Sequence, residues 1–264
     1  MVRPLVIMAL CGGILSSGLA LAATPGATGP VVVELFTTEN CGSCAAVDRS
    51  LDRWDATPGI IVLSEFVDFL DQTGWKDPFA SPVFSTRQLD YATALHTKDL
   101  YTPQVIINGE KALVGTDPKP IDVAISAAAS VPRAPVTLKW VQNPTCLRAR
   151  NCSNVALTVG TLPPNSHKAD VLLAITENGL QSNVQTGENA GRLLRHVAVV
   201  RMLMRLAEVD PAKPGEYAAE AYVQMRPEWI KNNVKVVVFV QDRDNRHILG
   251  AASVGWVNAP RSRP

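Results

Sequence analysis

Between Val31 and about Ser130 the hydrophobic positions alternate between two rhythms. VVVELF (31–36) is an apolar run, β-branched at its start and followed by polar turn residues, which predicts a buried strand. Val47, Leu51 and Trp54 then recur at i, i+4 and i+7, the spacing of one helix face. GIIVLSEFVDF supplies a second buried strand, from about Ile60 to Val67. Further on, Asp77-Pro78 and Ser81-Pro82 each set a capping side chain before a proline suited to a first helical position. Phe84, Tyr91 and Leu95 can share the face of the helix that follows. YTPQVIINGEKALVG holds two β-rich runs joined by Asn108-Gly109, a strong hairpin signal. Pro118 to Ala129 reads as a helix with Ile121 and Ile125 inward.

From Val136 onward the helical rhythm fades. VTLKWV, NVALTVGTL, ADVLLAITENGL, VAVVRMLMRLAEV, YAAEAYVQM, VKVVVFVQ and ILGAASVGWV are β-rich runs separated by turn residues. Their spacing predicts an antiparallel β-sandwich, with VAVVRMLMRL also compatible with a helix. The break falls in SVPRAP, where two prolines interrupt the chain. The expectation is an α/β domain over residues 28–132 followed by an all-β, sandwich-like domain over 133–264. The second domain carries no evident catalytic constellation and reads as a docking unit.

The first 23 residues change the chemical context. Arg3, an apolar run and Ala20-Leu21-Ala22 have the order of a secretory signal peptide. A membrane anchor needs about 20 strongly apolar residues, and Gly12, Gly13, Ser16, Ser17 and Gly18 spoil that alternative. The mature chain is therefore expected to be periplasmic or secreted, with no stable membrane insertion, in a compartment where disulfides persist. Cleavage would remove Cys11 and leave Cys41, Cys44, Cys146 and Cys152, for which three connectivities exist. Proximity favours 41 with 44 and 146 with 152. The second pair is expected to be a structural disulfide closing a small loop, worth roughly 2–2.5 kcal/mol by chain entropy. A second redox pair feeding the first is the competing reading. With 25 basic and 24 acidic residues, the chain has no electrostatic footprint for nucleic acid.

ELFTTENCGSC thus sets a cysteine pair in the turn after the first strand. The order strand, helix, strand, helix, hairpin, helix is the thioredoxin arrangement, and residues 31 to 117 look like a thioredoxin-fold domain. The wider pattern VELFTTENCGSC, VDFLDQTGWKDPFASPVFSTRQ, YTPQVIINGE and GENAGRLLRH resembles the bacterial secreted proteins called domain of unknown function family 1223. That resemblance implies fold and location but no substrate. Two departures stand out: Ala45 where the family often has proline, and Phe66 where it often has histidine. The second weakens any metal role for the Asp68 region.

Residue roles follow. A thiolate gains from a helix N-terminus, so Cys41, at the edge of the expected helix, is assigned as the attacking thiol. Cys44, one turn later, is the resolving thiol. Gly42 and Ser43 leave amides accessible, and Glu39 opposes the thiolate mildly. By resemblance, Thr102-Pro103 is a cis-proline pair presenting backbone to substrate. Trp75 joins Thr102, Gly42 and Ser43 as a substrate-binding candidate, within a cluster of Asp68, Asp71, Lys76, Asp77, Arg87 and Gln88 that either shapes a groove or caps helices. Glu34, a carboxylate inside an apolar strand, is a candidate proton relay for Cys44 or a structural hydrogen-bonding group. His96, His167, His196 and His247 lack ligand spacing, so no metal is assigned, and no cofactor motif is present. The expected function is thiol–disulfide exchange with protein or small-molecule thiols and disulfides, coupled to a redox partner that donates or accepts electrons. The rivals are a Cu(I)-thiolate protein and a non-catalytic thioredoxin-like binding module with a permanent Cys41–Cys44 clasp.

Overall fold

The computed structural model describes residues 28–97, 99–142, 152–213 and 215–256. The expected leader (1–23) and Cys146 lie outside the described residues. Cys152, which begins β6 (Cys152–Val159), is disulfide-bonded.

The strand β1 (Val31–Thr37) is buried along its whole length and pairs in parallel with β2 (Ile60–Phe66), the register running Val31 to Ile60 through Thr37 to Phe66. Between them lies α1 (Asp48–Asp55), whose Leu51 and Trp54 pack with Val47 onto the sheet. Helix α2 (Pro82–Ala94) starts where Ser81 accepts the Val83 N–H, with proline at the first position. The other expected helix start, Asp77-Pro78, begins no helix: Asp77 instead accepts backbone N–H groups from Phe79 and Glu39. β3 (Gln104–Ile107) and β4 (Lys111–Val114) form the hairpin at Asn108-Gly109, both with positive φ (48° and 69°). Glycine is required there twice over, since a Cβ at Gly109 would lie 2.0 Å from the Arg246 carbonyl oxygen. α3 (Pro118–Ala129), capped by Asp117, buries Ile121 and Ile125.

The second half supplies β5 (Val136–Val141), β6, β7 (Ala169–Glu177), the short pair β8 (Leu180–Asn183) and β9 (Leu193–His196), then β10 (Val199–Val209), β11 (Tyr217–Gln224), β12 (Val234–Asp242) and β13 (Ile248–Gly255). VAVVRMLMRL is thus a strand, β10. These strands do not close on themselves. β13, β12, β7 and β10 extend the first half's strands into one mixed eight-stranded sheet of order β13-β12-β7-β10-β2-β1-β3-β4. The expectation of an α/β thioredoxin-like domain followed by an all-β sandwich-like domain is therefore overturned.

The physical reason lies in burial. β12 is buried on both faces, with Val234, Val236, Val238 and Val240 packing one way and Val237 and Phe239 the other. A strand apolar on both sides must be covered on both sides, as in the middle of a large sheet. The seam is Val199 of β10, which pairs with Ser64 of β2 and with Glu177 of β7. The three-stranded sheet β11-β6-β5 covers Val171, Leu173 and Ile175 at one end. Helices α1 and α3 cover Val31, Val33 and Leu35 at the other, while α2 packs on the reverse face against Val32, Phe36 and Phe239.

Candidate functional site

Where β1 ends, the chain leaves the sheet and enters Thr38-Glu39-Asn40-Cys41. The Cys41 N–H donates to the Thr38 carbonyl at 3.3 Å, and Cys44 N–H to the Cys41 carbonyl at 3.2 Å. Cys41 and Cys44 are disulfide-bonded. Helix α1 begins only at Asp48, preceded by a 3₁₀ turn over Cys44–Ala46. Cys41 therefore does not cap the α-helix as its sequence position suggests, and the helix-end contribution to its chemistry is weaker.

The two sulfurs differ in setting. Both are buried, Cys41 8% and Cys44 3% exposed, but Cys41 lines an open pocket of about 690 Å³ and Cys44 does not. Asn40, Ser43, Leu70, Thr73, Thr102, Gly187 and Glu188 line the rest of it. The Ser43 hydroxyl lies 3.4 Å from Cys41 Sγ, and the Thr102 carbonyl oxygen 3.6 Å. In the disulfide that sulfur has no proton; on reduction its thiol can donate to Thr102. The Thr102–Pro103 bond is cis, and Pro103 is buried behind the pocket. Gln88 holds this segment from α2, donating to the Tyr101 carbonyl at 2.8 Å and to Gln104 at 2.9 Å.

Three further groups shape the cysteine loop: Glu39 within it, Asn189 from the 180–196 hairpin and Asp77 from the loop before α2. Glu39 is buried, and its carboxylate accepts from Trp75 Nε1 (2.7 Å), the Ser182 hydroxyl (2.8 Å) and His196 Nε2 (2.8 Å). Burial pushes the Glu39 pKa up, but the hydrogen bonds from His196, Trp75 and Ser182 outweigh it and hold the carboxyl below its ordinary value. Asn189 Nδ2 bridges the carbonyls of Glu39 (2.8 Å) and Cys41 (3.1 Å). Asp77 Oδ2 accepts the Glu39 N–H at 2.7 Å. Burial dominates at Asp77 and lifts its pKa to about 6 despite N–H donation from Glu39 and Phe79.

Glu188 Oε2 accepts the Gly42 N–H at 2.7 Å. That amide, one of the two between the cysteines, is thus engaged by a carboxylate rather than left for a sulfur anion.

The sequence-derived candidates separate accordingly. Cys41, Cys44, Gly42, Ser43, Thr102 and Pro103 come together. Trp75 stands one step behind: its indole binds Glu39 and its carbonyl accepts from Asn40 at 2.6 Å. Glu34 points to the α2 face, the reverse of that covered by α1, and binds Arg87 Nε at 2.7 Å and the Tyr91 hydroxyl. Asp68 accepts from the Ser85 hydroxyl, tying the loop before α2 to that helix, and Asp71 accepts from the Asp77 N–H within the loop. Phe66 packs edge-on against the His196 ring at 4.9 Å. Glu39 enters the sequence reading only as a mild opponent of the thiolate, and Ser182 not at all; Glu188, Asn189 and His196 are not assigned to the site there, although all three lie in the GENAGRLLRH segment. Among the described residues no group of three or more His, Cys, Asp or Glu side chains is arranged to hold a metal ion.

Comparison with known proteins yields fold and family. A crystal structure of protein AGR_C_4864 from Agrobacterium tumefaciens is similar at 23% identity and a TM-score of 0.67, covering 90% of this chain and 99% of that one. At that identity the likeness shows the fold alone. A domain of the outer membrane lipoprotein Omp28 from Porphyromonas gingivalis matches at 17% identity over 48% of this chain and 91% of its own, with a TM-score of only 0.23, too low to carry an argument. No curated protein matches the chain. The family model described as protein of unknown function (DUF1223) matches residues 32–241, and the chain belongs to that family.

Proposed function

We propose that the chain is an exported thiol–disulfide oxidoreductase in which Cys41 exchanges with substrate and Cys44 resolves the mixed disulfide. The observation that carries this reading is the asymmetry of the pair: Cys41 lines the pocket and Cys44 does not. In the reducing direction, the Cys41 thiolate attacks one sulfur of a substrate disulfide. That S–S bond breaks, one substrate sulfur leaves as a thiolate and takes a proton, and a mixed disulfide forms. The Cys44 thiolate then attacks Cys41 Sγ and releases the second substrate thiol. Two electrons pass from the protein dithiol to the substrate, and the Cys41–Cys44 disulfide results. The reverse sequence oxidises a substrate dithiol, and either direction requires a redox partner. Export rests on the leader-like start of the chain.

The test is the reduction potential of the pair together with two variants. Cys41→Ser should abolish exchange with small disulfides, and Cys44→Ser should accumulate a mixed disulfide at Cys41. A potential below about −300 mV, the range of structural disulfides, with no exchange in the parent protein, would identify a permanent clasp instead.

A further inference from the structure

We propose that Glu188 selects the charge of the substrate, so that the pocket takes disulfides and thiols bearing a cationic group close to sulfur. This rests on the oxidoreductase reading and names its substrate class. Glu188 enters the pocket from a loop far from the cysteines in sequence and seats its carboxylate on the Gly42 N–H at 2.7 Å. Two further observations bear on the site.

The first is that Gly42 leaves the space. A Cβ there would stand 2.9 Å from Glu188 Oε2, and Gly42 does not have the positive φ that would otherwise call for glycine. The absent side chain lets the carboxylate sit against the backbone between the two cysteines. The second is the composition of the pocket. Glu188 is its one charged lining residue, the rest being Cys41 and neutral side chains such as Asn40, Ser43 and Thr73. Arg192, on the same loop, has its guanidinium on Asn189 Oδ1 at 2.9 Å, and Glu39 is buried and saturated by its three donors. Among the described residues Glu188 forms no ion pair, so a substrate arriving at Cys41 meets a negative side chain at the pocket rim. It attracts an ammonium or guanidinium neighbouring the scissile sulfur and repels a carboxylate in the same place. Because Glu188 is exposed, this discrimination is screened by salt.

The test uses the reduced full-length protein and three disulfides of similar size: cystamine (dication), bis(2-hydroxyethyl) disulfide (neutral) and 3,3′-dithiodipropionate (dianion). Rates are normalised to those of dithiothreitol with the same disulfides, which removes differences in leaving-group chemistry. Glu188→Gln keeps an oxygen for the Gly42 N–H and removes only the charge, and Glu188→Lys inverts it. At low ionic strength the normalised preference for cystamine over the dianion should fall by on the order of fivefold in Glu188→Gln. It should fall further in Glu188→Lys and shrink for the parent protein in 0.5 M salt. Exchange with all three disulfides and the same preference in parent and both variants would overturn charge selection while leaving the oxidoreductase reading intact. No exchange by the parent with any of the three would overturn that reading, and this inference with it.

Discussion

Two glutamates five residues apart, Glu34 and Glu39, are both buried, and their surroundings differ in kind. Glu34 sits mid-strand on the α2 face. Its partners are Arg87 and Tyr91 from α2, and Gln241 of β12 ties both of them, accepting from Arg87 Nη1 at 2.9 Å and donating to the Tyr91 hydroxyl at 2.7 Å. The Arg87 guanidinium also stacks over Tyr91 and Phe239. Glu65 of β2 lies beside it, 3.3 Å from Arg87 Nε. Burial pushes its carboxyl well above the ordinary range, while Arg87 opposes that and Glu34 adds to it. Glu39 sits past the end of the strand and takes its partners from loops and the β8–β9 hairpin. A buried carboxylate must be paired wherever it lies. What its partners belong to decides whether it fixes the layers of the fold or the wall of a pocket.

Removing the cation of the first region should have the largest effect. Arg87→Met leaves the buried Glu34 carboxylate without its cation and with only the Tyr91 hydroxyl, at a cost of about 3–5 kcal/mol. Replacing both residues, as Glu34→Met/Arg87→Met, should recover most of that loss, because the uncompensated charge goes with its partner. Urea denaturation at neutral pH measures both. Cys41 exchange per folded molecule should stay within about twofold of the parent, since the ion pair lies on the reverse face of the sheet. A large slowing with stability intact would show that the two regions are coupled.

The second region should reveal itself through pH. Asp77 has its pKa raised from 3.8 to about 6 by burial. Raised in the folded state, it adds stability that is full below about pH 3.8 and lost as pH rises through about 6. Two units correspond to at most about 3 kcal/mol. Glu39 has the opposite sign: its lowered pKa adds stability above about 4.5 that is lost as pH falls. Stability measured by denaturant at pH 5 and pH 7 should therefore drop more in the parent than in Asp77→Asn. Equal drops would mean that Asp77 does not titrate in this window.

Much of this was legible locally and little of it globally. VVVELF, the Asn108-Gly109 turn and the proline-led helices at Ser81 and Asp117 carry their signals within a few residues, and the elements lie where those signals fall. The pairing of Val199 with Ser64 has no local code. Alternating apolar strands serve equally well in a closed sandwich or as extensions of another sheet, and that choice belongs to burial on both faces. The cysteine pair stood out in the sequence because its spacing is local. Its walls did not, since Ser182, Glu188, Asn189 and His196 reach it from more than 130 residues away. Asp77-Pro78 shows a local signal put to another use: the side chain that could cap a helix instead holds the Glu39 backbone.

A smaller effect is expected from Glu39→Gln. The amide retains one acceptor oxygen for donors that now occupy two, so at least one of Trp75, Ser182 and His196 loses its partner, at a cost of about 1–3 kcal/mol. Unlike Arg87→Met, this change should also alter Cys41 chemistry by loosening the segment that carries Glu188 and Asn189. Hydrogen exchange should quicken over 182–196 relative to α2. Uniform quickening across the sheet would remove the distinction between a pocket wall and a layer anchor.

The smallest change in stability, and the sharpest test of what the pocket wall does, is expected from Gly42→Ala. The new methyl meets the end of a flexible, exposed side chain rather than backbone, 2.9 Å from Glu188 Oε2, so the carboxylate can swing aside. No positive φ has to be accommodated. The stability change should stay within about 0.5 kcal/mol, the range of surface substitutions away from special features. Displacing Glu188 nevertheless frees the Gly42 N–H and draws the negative charge back from Cys41. A freed amide and a more distant carboxylate both favour the Cys41 thiolate, hence the reduced form, and the potential of the pair should rise. A threefold change in the equilibrium constant would appear as about 14 mV, since tenfold is about 30 mV for this couple. Glu188→Ala removes the carboxylate altogether and should move the potential in the same direction. If Gly42→Ala leaves the potential unchanged while Glu188→Ala raises it, the carboxylate acts on the cysteines without needing its seat on the amide. If neither variant moves it, Glu188 acts only on the substrate.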